Sequence, residues 1–138
     1  MTRRRLLILV LLLVSAIAIV LIAQTDTGDK RVSVQEAREM IIADTNVVVL
    51  DVRTEEEYKS ETGHLANAIL IPAQEIEERI SELEPLKERA IIAYCRTGRR
   101  SEKAAGLLSE HGFRVYTMDG GIVRWNELHL PVVKEEEH

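Results

Sequence analysis

Hydrophobic and polar positions divide the chain into three parts. Residues 6–23 are apolar except for one serine and carry no charge. Residues 24–31 are polar and show no periodic spacing of apolar side chains, which is typical of a linker. From residue 32 onward, short apolar blocks alternate with amphipathic stretches. We therefore predict an apolar N-terminal helix within residues 1–23, a linker over 24–31 and one domain over 32–138.

The apolar run has two interpretations: an uncleaved signal anchor, or a secretory signal peptide removed after export. Its 18 residues would span about 27 Å as a helix, close to the roughly 30 Å hydrocarbon core of a bilayer. We favour the anchor, because cleavage after Ala23 would place Leu21 where a small residue is required. In both cases the preceding arginines, residues 3–5, should stay inside. The domain is then predicted to be extracytoplasmic, in the periplasm or on the outer face of the cytoplasmic membrane.

The apolar blocks of the domain predict strands, and the amphipathic stretches predict helices. Continuous, β-branched-rich runs are typical of strands covered on both faces, and we predict them at 47–50, 68–71, 91–94 and 115–118. Apolar residues at helical spacing predict helices at 33–44, 75–83, 101–111 and 122–128, and an acid-rich stretch that follows an N-cap residue predicts a short helix at 54–60. This alternation indicates an α/β domain with a central, mostly parallel sheet flanked by helices.

Two of the predicted helices begin with a capping box. Ser33 is followed three positions later by Glu36, and Thr54 is followed in the same way by Glu57. In this arrangement each side chain bonds the other residue's backbone N–H, so the helix start is fixed locally.

Charge and cysteine content restrict the function. Residues 24–138 hold 15 Lys and Arg against 23 Asp and Glu, which argues against a nucleic-acid partner. The histidines show no metal-ligand spacing, and no metal site is predicted. The chain has one cysteine, Cys95, which cannot form an internal disulfide. In an exported protein such a thiol is either buried and inert or kept for its reactivity.

Cys95 directly follows the predicted strand 91–94, at the strand end where ligands bind in open α/β sheets. The next residues lead into a helix N-terminus, whose unpaired N–H groups and dipole favour an anion. Gly98 allows the backbone to curl there, and Arg96, Arg99 and Arg100 add fixed positive charge. Such surroundings lower a cysteine pKa from about 8.5 to roughly 3.5–7.5. We therefore expect a thiolate nucleophile.

Four ordered motifs resemble those of the rhodanese-like domain, a sulfurtransferase fold. They are DVR at 51–53, GHLANAILIP at 63–72, CRTGRRS at 95–101, and Gly120-Gly121 with Trp125. The resemblance covers about residues 32–133. One mild departure is Leu65, Ala66 and Asn67, where the family often shows Ile-Pro-Gly; it concerns turn geometry more than chemistry.

The resemblance implies transfer of sulfane sulfur through a persulfide on Cys95. The donor would be thiosulfate or a similar anion, and the acceptor a thiophilic compound such as cyanide or a thiol, including a protein thiol. No metal or organic cofactor is needed. The implied substrate-binding residues form the cradle after the cysteine: Arg96, Thr97, Gly98, Arg99, Arg100 and Ser101.

Two other functions remain open. Certain phosphatases and arsenate reductases resemble this fold, but in their loop an arginine stands six positions after the cysteine, where this chain has Ser101. Arginine comes one position earlier, at Arg100, and the shorter loop favours sulfur chemistry over phosphate. The other alternative is a non-catalytic sulfur-carrier or partner-binding module.

Several further residues are expected to be structural. We expect Asp51 and Arg53 to form an ion pair or cap, with contact between Arg53 and the donor as the less favoured alternative. His64 should hydrogen-bond within its turn, and Trp125 should lie in the core. Tyr94 should point to the sheet face opposite Cys95, because side chains alternate along a strand.

Overall fold

A computed structural model of the chain describes residues 3–10 and 30–135. Residues 3–10 are α-helical, with exposed apolar side chains from residue 6 onward. Most of the predicted anchor and linker, residues 11–29, lies outside the described residues. Within the described ranges, none of the helices has the length and apolar character needed to cross a membrane.

Five parallel strands form the central sheet, which confirms the predicted α/β class. In chain order they are β1 Lys30–Val32, β2 Val48–Asp51, β3 Ile69–Leu70, β4 Ile91–Tyr94 and β5 Val115–Met118. Their spatial order is β1-β5-β4-β2-β3, with every neighbouring pair parallel. β4 is therefore the central strand, and all four of its residues are buried.

Helices cover both faces of this sheet. They are α1 Val34–Ala43, α2 Glu55–Tyr58, α3 Ile76–Arg79, α4 Arg99–Glu110 and α5 Gly121–Glu127. On one face α3 and α4 bury Ile76, Ala105 and Leu108 in a cluster that includes Cys95. The other cluster contains α1 and α5 residues and Tyr94. Cys95 and Tyr94 thus lie on opposite faces, as predicted.

Both predicted capping boxes are present. The Glu36 amide donates to Ser33 Oγ at 3.1 Å, and the Ser33 amide donates to Glu36 Oε2 at 2.7 Å. At α2 the Glu57 amide donates to Thr54 Oγ1 at 3.2 Å, while the Thr54 amide donates to Glu57 Oε2 at 3.0 Å. Each helix start is consequently set by residues three positions apart.

The edge strand β1 differs from the prediction, because the polar pattern of residues 24–31 indicates a linker. Lys30, Arg31 and Val32 pair in parallel with Tyr116, Thr117 and Met118 of β5. Lys30 and Arg31 continue the polar pattern of the linker, so the sequence does not predict a strand here. Charged side chains are common on edge strands, which face solvent on one side.

The predicted helix over 75–83 is also interrupted. Only Ile76–Arg79 is α-helical, and the turns Ala73–Glu75, Ile80–Glu82 and Glu84–Leu86 are 3₁₀-helical. The end of the predicted helix is thus 3₁₀-helical instead of α-helical, and Pro85 lies in the first turn of the next 3₁₀ segment, where its missing N–H is tolerated. Ile76 and Leu83 are buried nevertheless, so the predicted apolar face is retained.

Candidate active site

The loop after β4 places Cys95 at the C-terminal edge of the sheet, as expected. α4 begins at Arg99, two residues before the predicted start at Ser101. Gly98 is its N-cap residue and has a φ of 116°, in the left-handed region that favours glycine. Arg99 and Arg100 therefore belong to the first helical turn, and the loop between strand and helix is only a few residues long.

The Cys95 thiol is enclosed by hydrogen-bond donors. The Gly98 amide donates to Sγ at 3.1 Å, and Ser101 Oγ lies 3.6 Å from Sγ. Ser101 Oγ also lies 3.0 Å from the Gly98 carbonyl oxygen, to which it donates. Cys95 is 2% exposed and Ser101 is fully buried. Because the hydroxyl has one proton, it can donate to the carbonyl beside a neutral thiol or to Sγ beside a thiolate.

These donors overcome the effect of burial on the thiol. Burial disfavours the charged form and by itself would raise the pKa of Cys95. The Ser101 hydroxyl and the amides of Ser101, Gly98 and Thr97 act in the opposite direction, and the net pKa is lowered. The site therefore favours a thiolate, which is the nucleophilic form of cysteine.

Arg100 forms a two-bond ion pair with Glu57 of α2. Its Nη1 donates to Oε2 at 2.6 Å and its Nη2 to Oε1 at 2.7 Å. The Arg100 hydrogen bonds lower the pKa of Glu57 to about 2, although partial burial opposes this effect. Glu57, followed by the nearby Cys95 thiolate, raises the pKa of Arg100. The sequence patterns do not predict this pairing, because 43 residues separate the partners along the chain.

Arg96 and Arg99 differ from Arg100 in their surroundings. Both side chains are exposed, and neither takes part in an ion pair within residues 3–10 and 30–135. Their positive charge therefore remains available at the mouth of the loop, where an anionic donor would arrive.

The start of α5 packs directly against the cysteine loop. The Ile122 amide donates to the Cys95 carbonyl at 2.9 Å, and the Val123 amide donates to the Arg96 carbonyl at 3.2 Å. A Cβ on Gly121 would clash with both carbonyl oxygens, so only glycine fits. The sequence indicates a turn at Gly120 and Gly121, but it does not predict this contact with the loop.

Asp51 and Arg53 form a buried ion pair, as expected. Arg53 Nη2 donates to Asp51 Oδ2 at 2.7 Å, and the two side chains are 1% and 0% exposed. The same guanidinium donates to Thr62 Oγ1 and the Gly63 carbonyl. Tyr94 Oη donates to Asp51 Oδ2 at 2.6 Å. These contacts fix the segment after β2 to the central strand and give Arg53 a structural role.

His64 and Trp125 also make the structural contacts expected of them. His64 stacks on Tyr58 with ring centroids 3.8 Å apart, and its Nδ1 lies 3.0 Å from the Leu65 carbonyl oxygen. Trp125 is 5% exposed, and its Nε1 donates to the Pro131 carbonyl at 3.0 Å. Neither ring is part of the thiol's hydrogen-bond shell.

Comparison with known proteins decides the family. Residues 33–128 match the rhodanese-like domain. The chain belongs to the rhodanese-like domain family. A sulfurtransferase from Allochromatium vinosum is 37% identical to it over 97 residues, which cover 69% of this chain and 87% of that protein. The crystal structure of a rhodanese-related protein from Thermoplasma volcanium superposes with a TM-score of 0.69 at 33% identity, covering 77% of this chain and 99% of that one.

Longer proteins also contain this rhodanese-like domain. A tRNA uridine(34) hydroxylase from Cytophaga hutchinsonii is 39% identical over 84 residues, which cover 58% of this chain but 26% of that protein. The chain spans about a quarter of the length of this relative. The similarity therefore concerns the shared domain alone.

The pKa of the thiol is directly testable. Alkylation of Cys95 by iodoacetamide should rise to its plateau with a midpoint below about pH 8.5, the ordinary cysteine value, because the folded protein stabilises the thiolate. Replacing Ser101 with Ala removes a donor to the charged form and should move the midpoint upward by about one pH unit.

Ser109→Ala is the matched control for this titration. Ser109 lies in the same helix, and its hydroxyl oxygen is buried with no hydrogen-bond partner among the described residues. This variant should keep the wild-type midpoint. An unchanged midpoint in Ser101→Ala would show that the hydroxyl does not stabilise the thiolate.

Proposed function

We propose that this rhodanese-like protein is a sulfurtransferase that carries sulfane sulfur on Cys95. The main support is the Cys95 thiol, which directly follows the central strand. Its Sγ accepts a hydrogen bond from the Gly98 amide at 3.1 Å, and its pKa is lowered. The similarity to a curated sulfurtransferase points in the same direction. Thiosulfate or a similar anion is the proposed donor, and cyanide or a thiol is the proposed acceptor.

The first half-reaction is a displacement at sulfur. The Cys95 thiolate attacks the outer sulfur of thiosulfate, the S–S bond of the donor breaks, and sulfite leaves with the bonding electrons. The enzyme is left with a cysteine persulfide. The Gly98 amide and the Ser101 hydroxyl, which stabilise the thiolate, can also stabilise negative charge on the bound sulfur.

The second half-reaction regenerates the thiolate. A nucleophilic acceptor attacks the terminal sulfur of the persulfide, and the bond between the two sulfur atoms breaks. Cyanide becomes thiocyanate, whereas a thiolate acceptor becomes a persulfide. Both half-reactions balance without an oxidant, a reductant or a metal ion. Arg96 and Arg99 would attract the anionic donor to the loop.

The position of Arg100 supports sulfur transfer over phosphate chemistry. A phosphatase loop requires an arginine that closes around a tetrahedral oxyanion. In this chain the Arg100 guanidinium is held by both oxygens of Glu57. Binding a phosphate in the same way would require breaking an ion pair that has two short hydrogen bonds.

We also propose that the apolar run over residues 6–23 holds the domain at a membrane, on its extracytoplasmic side. Support comes from the length of the run, its lack of charge and the three arginines before it. The domain would then meet donors and acceptors outside the cytoplasm.

Mass analysis of the protein tests sulfur transfer. Incubation with thiosulfate should add about 32 Da, one sulfur atom, to Cys95 and release sulfite. Cyanide should then remove the added mass and yield thiocyanate. Cys95→Ser should show no gain, whereas Ser109→Ala should behave like the wild type.

Two results would overturn this proposal. Hydrolysis of an aryl phosphate without any mass gain would favour the phosphatase function. No mass gain with thiosulfate, polysulfide or thiosulfonates, and no hydrolysis, would favour a binding module without catalysis.

N-terminal sequencing of membrane and soluble fractions tests the anchor. An anchored protein should be recovered from membranes with its N-terminus at Met1. A soluble protein that begins between residues 16 and 30 would instead identify a cleaved signal peptide.

A further inference from the structure

Exposed apolar side chains of the domain gather along two adjoining grooves. Within residues 30–135, the exposed large apolar side chains are Ile42 at 66%, Val133 at 43% and Ile69 at 36%. They line two grooves that share Ile41 and Ala66. We call these five residues the basal patch. Clustered apolar exposure of this kind marks an interaction surface more often than scattered exposure does.

The topology shows where the basal patch lies relative to the edges of the sheet. All strands are parallel, so they begin at one edge of the sheet and end at the other. Ile69 is the first residue of β3, and one groove of the basal patch is also lined by Val47 and Val48, at the start of β2. Ile42, in the last turn of the helix that leads into β2, and Ile69 therefore lie at the edge where strands begin, whereas Val133 pairs with His64 farther along the groove that it shares with Ile42. Cys95, which follows the last residue of β4, lies at the opposite edge.

The connection to the N-terminal apolar run reaches the same edge. β1 begins at Lys30, and only six residues separate it from Ala23, the last residue of the run. At about 3.3–3.6 Å per residue, even a fully extended connection spans roughly 25 Å. A run embedded in a bilayer thus keeps the edge where the strands begin within reach of the membrane surface, although β1 and β3 are at opposite ends of the strand order.

The side chains around the basal patch suit a lipid headgroup region. Arg38, which is exposed, borders one groove, and the half-buried Arg89 borders the other. An arginine can lay its aliphatic part along an apolar surface while its guanidinium meets phosphate. One acidic residue, Asp44, also borders the second groove. An apolar centre with basic residues beside it is typical of segments that lie on membranes.

We propose that the basal patch docks on the lipid surface, with Ile42 and Ile69 entering the headgroup region. The proposal rests on the proposed membrane placement of residues 6–23, and not on sulfur transfer. In this orientation Cys95 points away from the membrane. Donor and acceptor then reach the thiol from the aqueous phase, and a protein acceptor must approach from that side.

The sequence provides a natural probe for this orientation. Trp125 is the only tryptophan, and it lines the groove that contains Ile42 and Val133. The full chain is reconstituted in phosphatidylcholine nanodiscs with and without a lipid that carries a spin label near its headgroup. We expect the spin label to quench Trp125 fluorescence strongly, because this quenching acts only at short range.

Ile42→Glu tests whether the patch itself makes the contact. A carboxylate is costly to place in an apolar environment, so this variant should withdraw from the lipid surface. The quenching of Trp125 fluorescence should fall several-fold, while the protein stays in the nanodisc. Gln35→Glu is the matched control, since Gln35 is exposed on the same helix, near its other end. The control should retain the wild-type quenching, and both variants should retain the wild-type circular dichroism spectrum.

Three outcomes would overturn the proposal. Failure of the full chain to insert into nanodiscs would refute the membrane placement, and the mass test of Cys95 would still decide sulfur transfer independently. Insertion without quenching of Trp125 would show that the patch does not face lipid. A dimer that dissociates on Ile42→Glu, without lipid quenching, would assign the patch to contact between two copies.

Discussion

The backbone contact between α5 and the cysteine loop is the constraint on which the site depends. Two amides of α5 donate to the carbonyls of Cys95 and Arg96. In a trans peptide the C=O and the following N–H point in opposite directions. Carbonyls held toward α5 therefore turn the next amides away from it, and the Thr97 amide is one of those that lower the pKa of Cys95. The β5–α5 connection thus orients the Thr97 amide and fixes the start of the loop that carries the other donors.

The other side of the loop is held by side chains. Glu57 and Thr54 form the capping box that fixes the start of α2. The Glu57 carboxylate also accepts two hydrogen bonds from Arg100. Arg100 is consequently positioned near Cys95 but is largely neutralised by its partner. Arg96 and Arg99 supply the remaining positive charge at the rim. An acidic domain can therefore present an electropositive entrance, because local positions matter more at this distance than net charge.

Much of this organisation follows from local sequence features. β4 and β5 occupy the predicted positions, since continuous β-branched runs bounded by polar residues indicate buried parallel strands. The two capping boxes depend on residues three apart, and they form as predicted. The location of Cys95 after a buried strand is sufficient to identify the candidate active site.

The features that local patterns do not predict depend on contacts between distant segments. β1 consists of a short charged segment, and it becomes a strand only because β5 offers it a partner. The pairing of Glu57 with Arg100 and the approach of Gly121 to Cys95 require the tertiary arrangement of three separate helices, α2, α4 and α5. No local pattern encodes such distances. The double glycine at 120 and 121 is the visible signal, because each adopts a positive φ.

A comparison of two glycine-to-alanine variants tests the central claim most directly. Gly121→Ala places a Cβ against two carbonyl oxygens, whereas a Cβ added at Gly106 in α4 meets no atom within 4 Å among the described residues. The measurement is the pH midpoint of Cys95 alkylation in each folded variant. We predict a clearly raised midpoint for Gly121→Ala and an unchanged midpoint for Gly106→Ala. Gly106→Ala should also raise the free energy of unfolding by about 0.5–1 kcal/mol. A wild-type midpoint in Gly121→Ala would contradict the claim that the contact of α5 with the start of the loop helps to lower the pKa of Cys95.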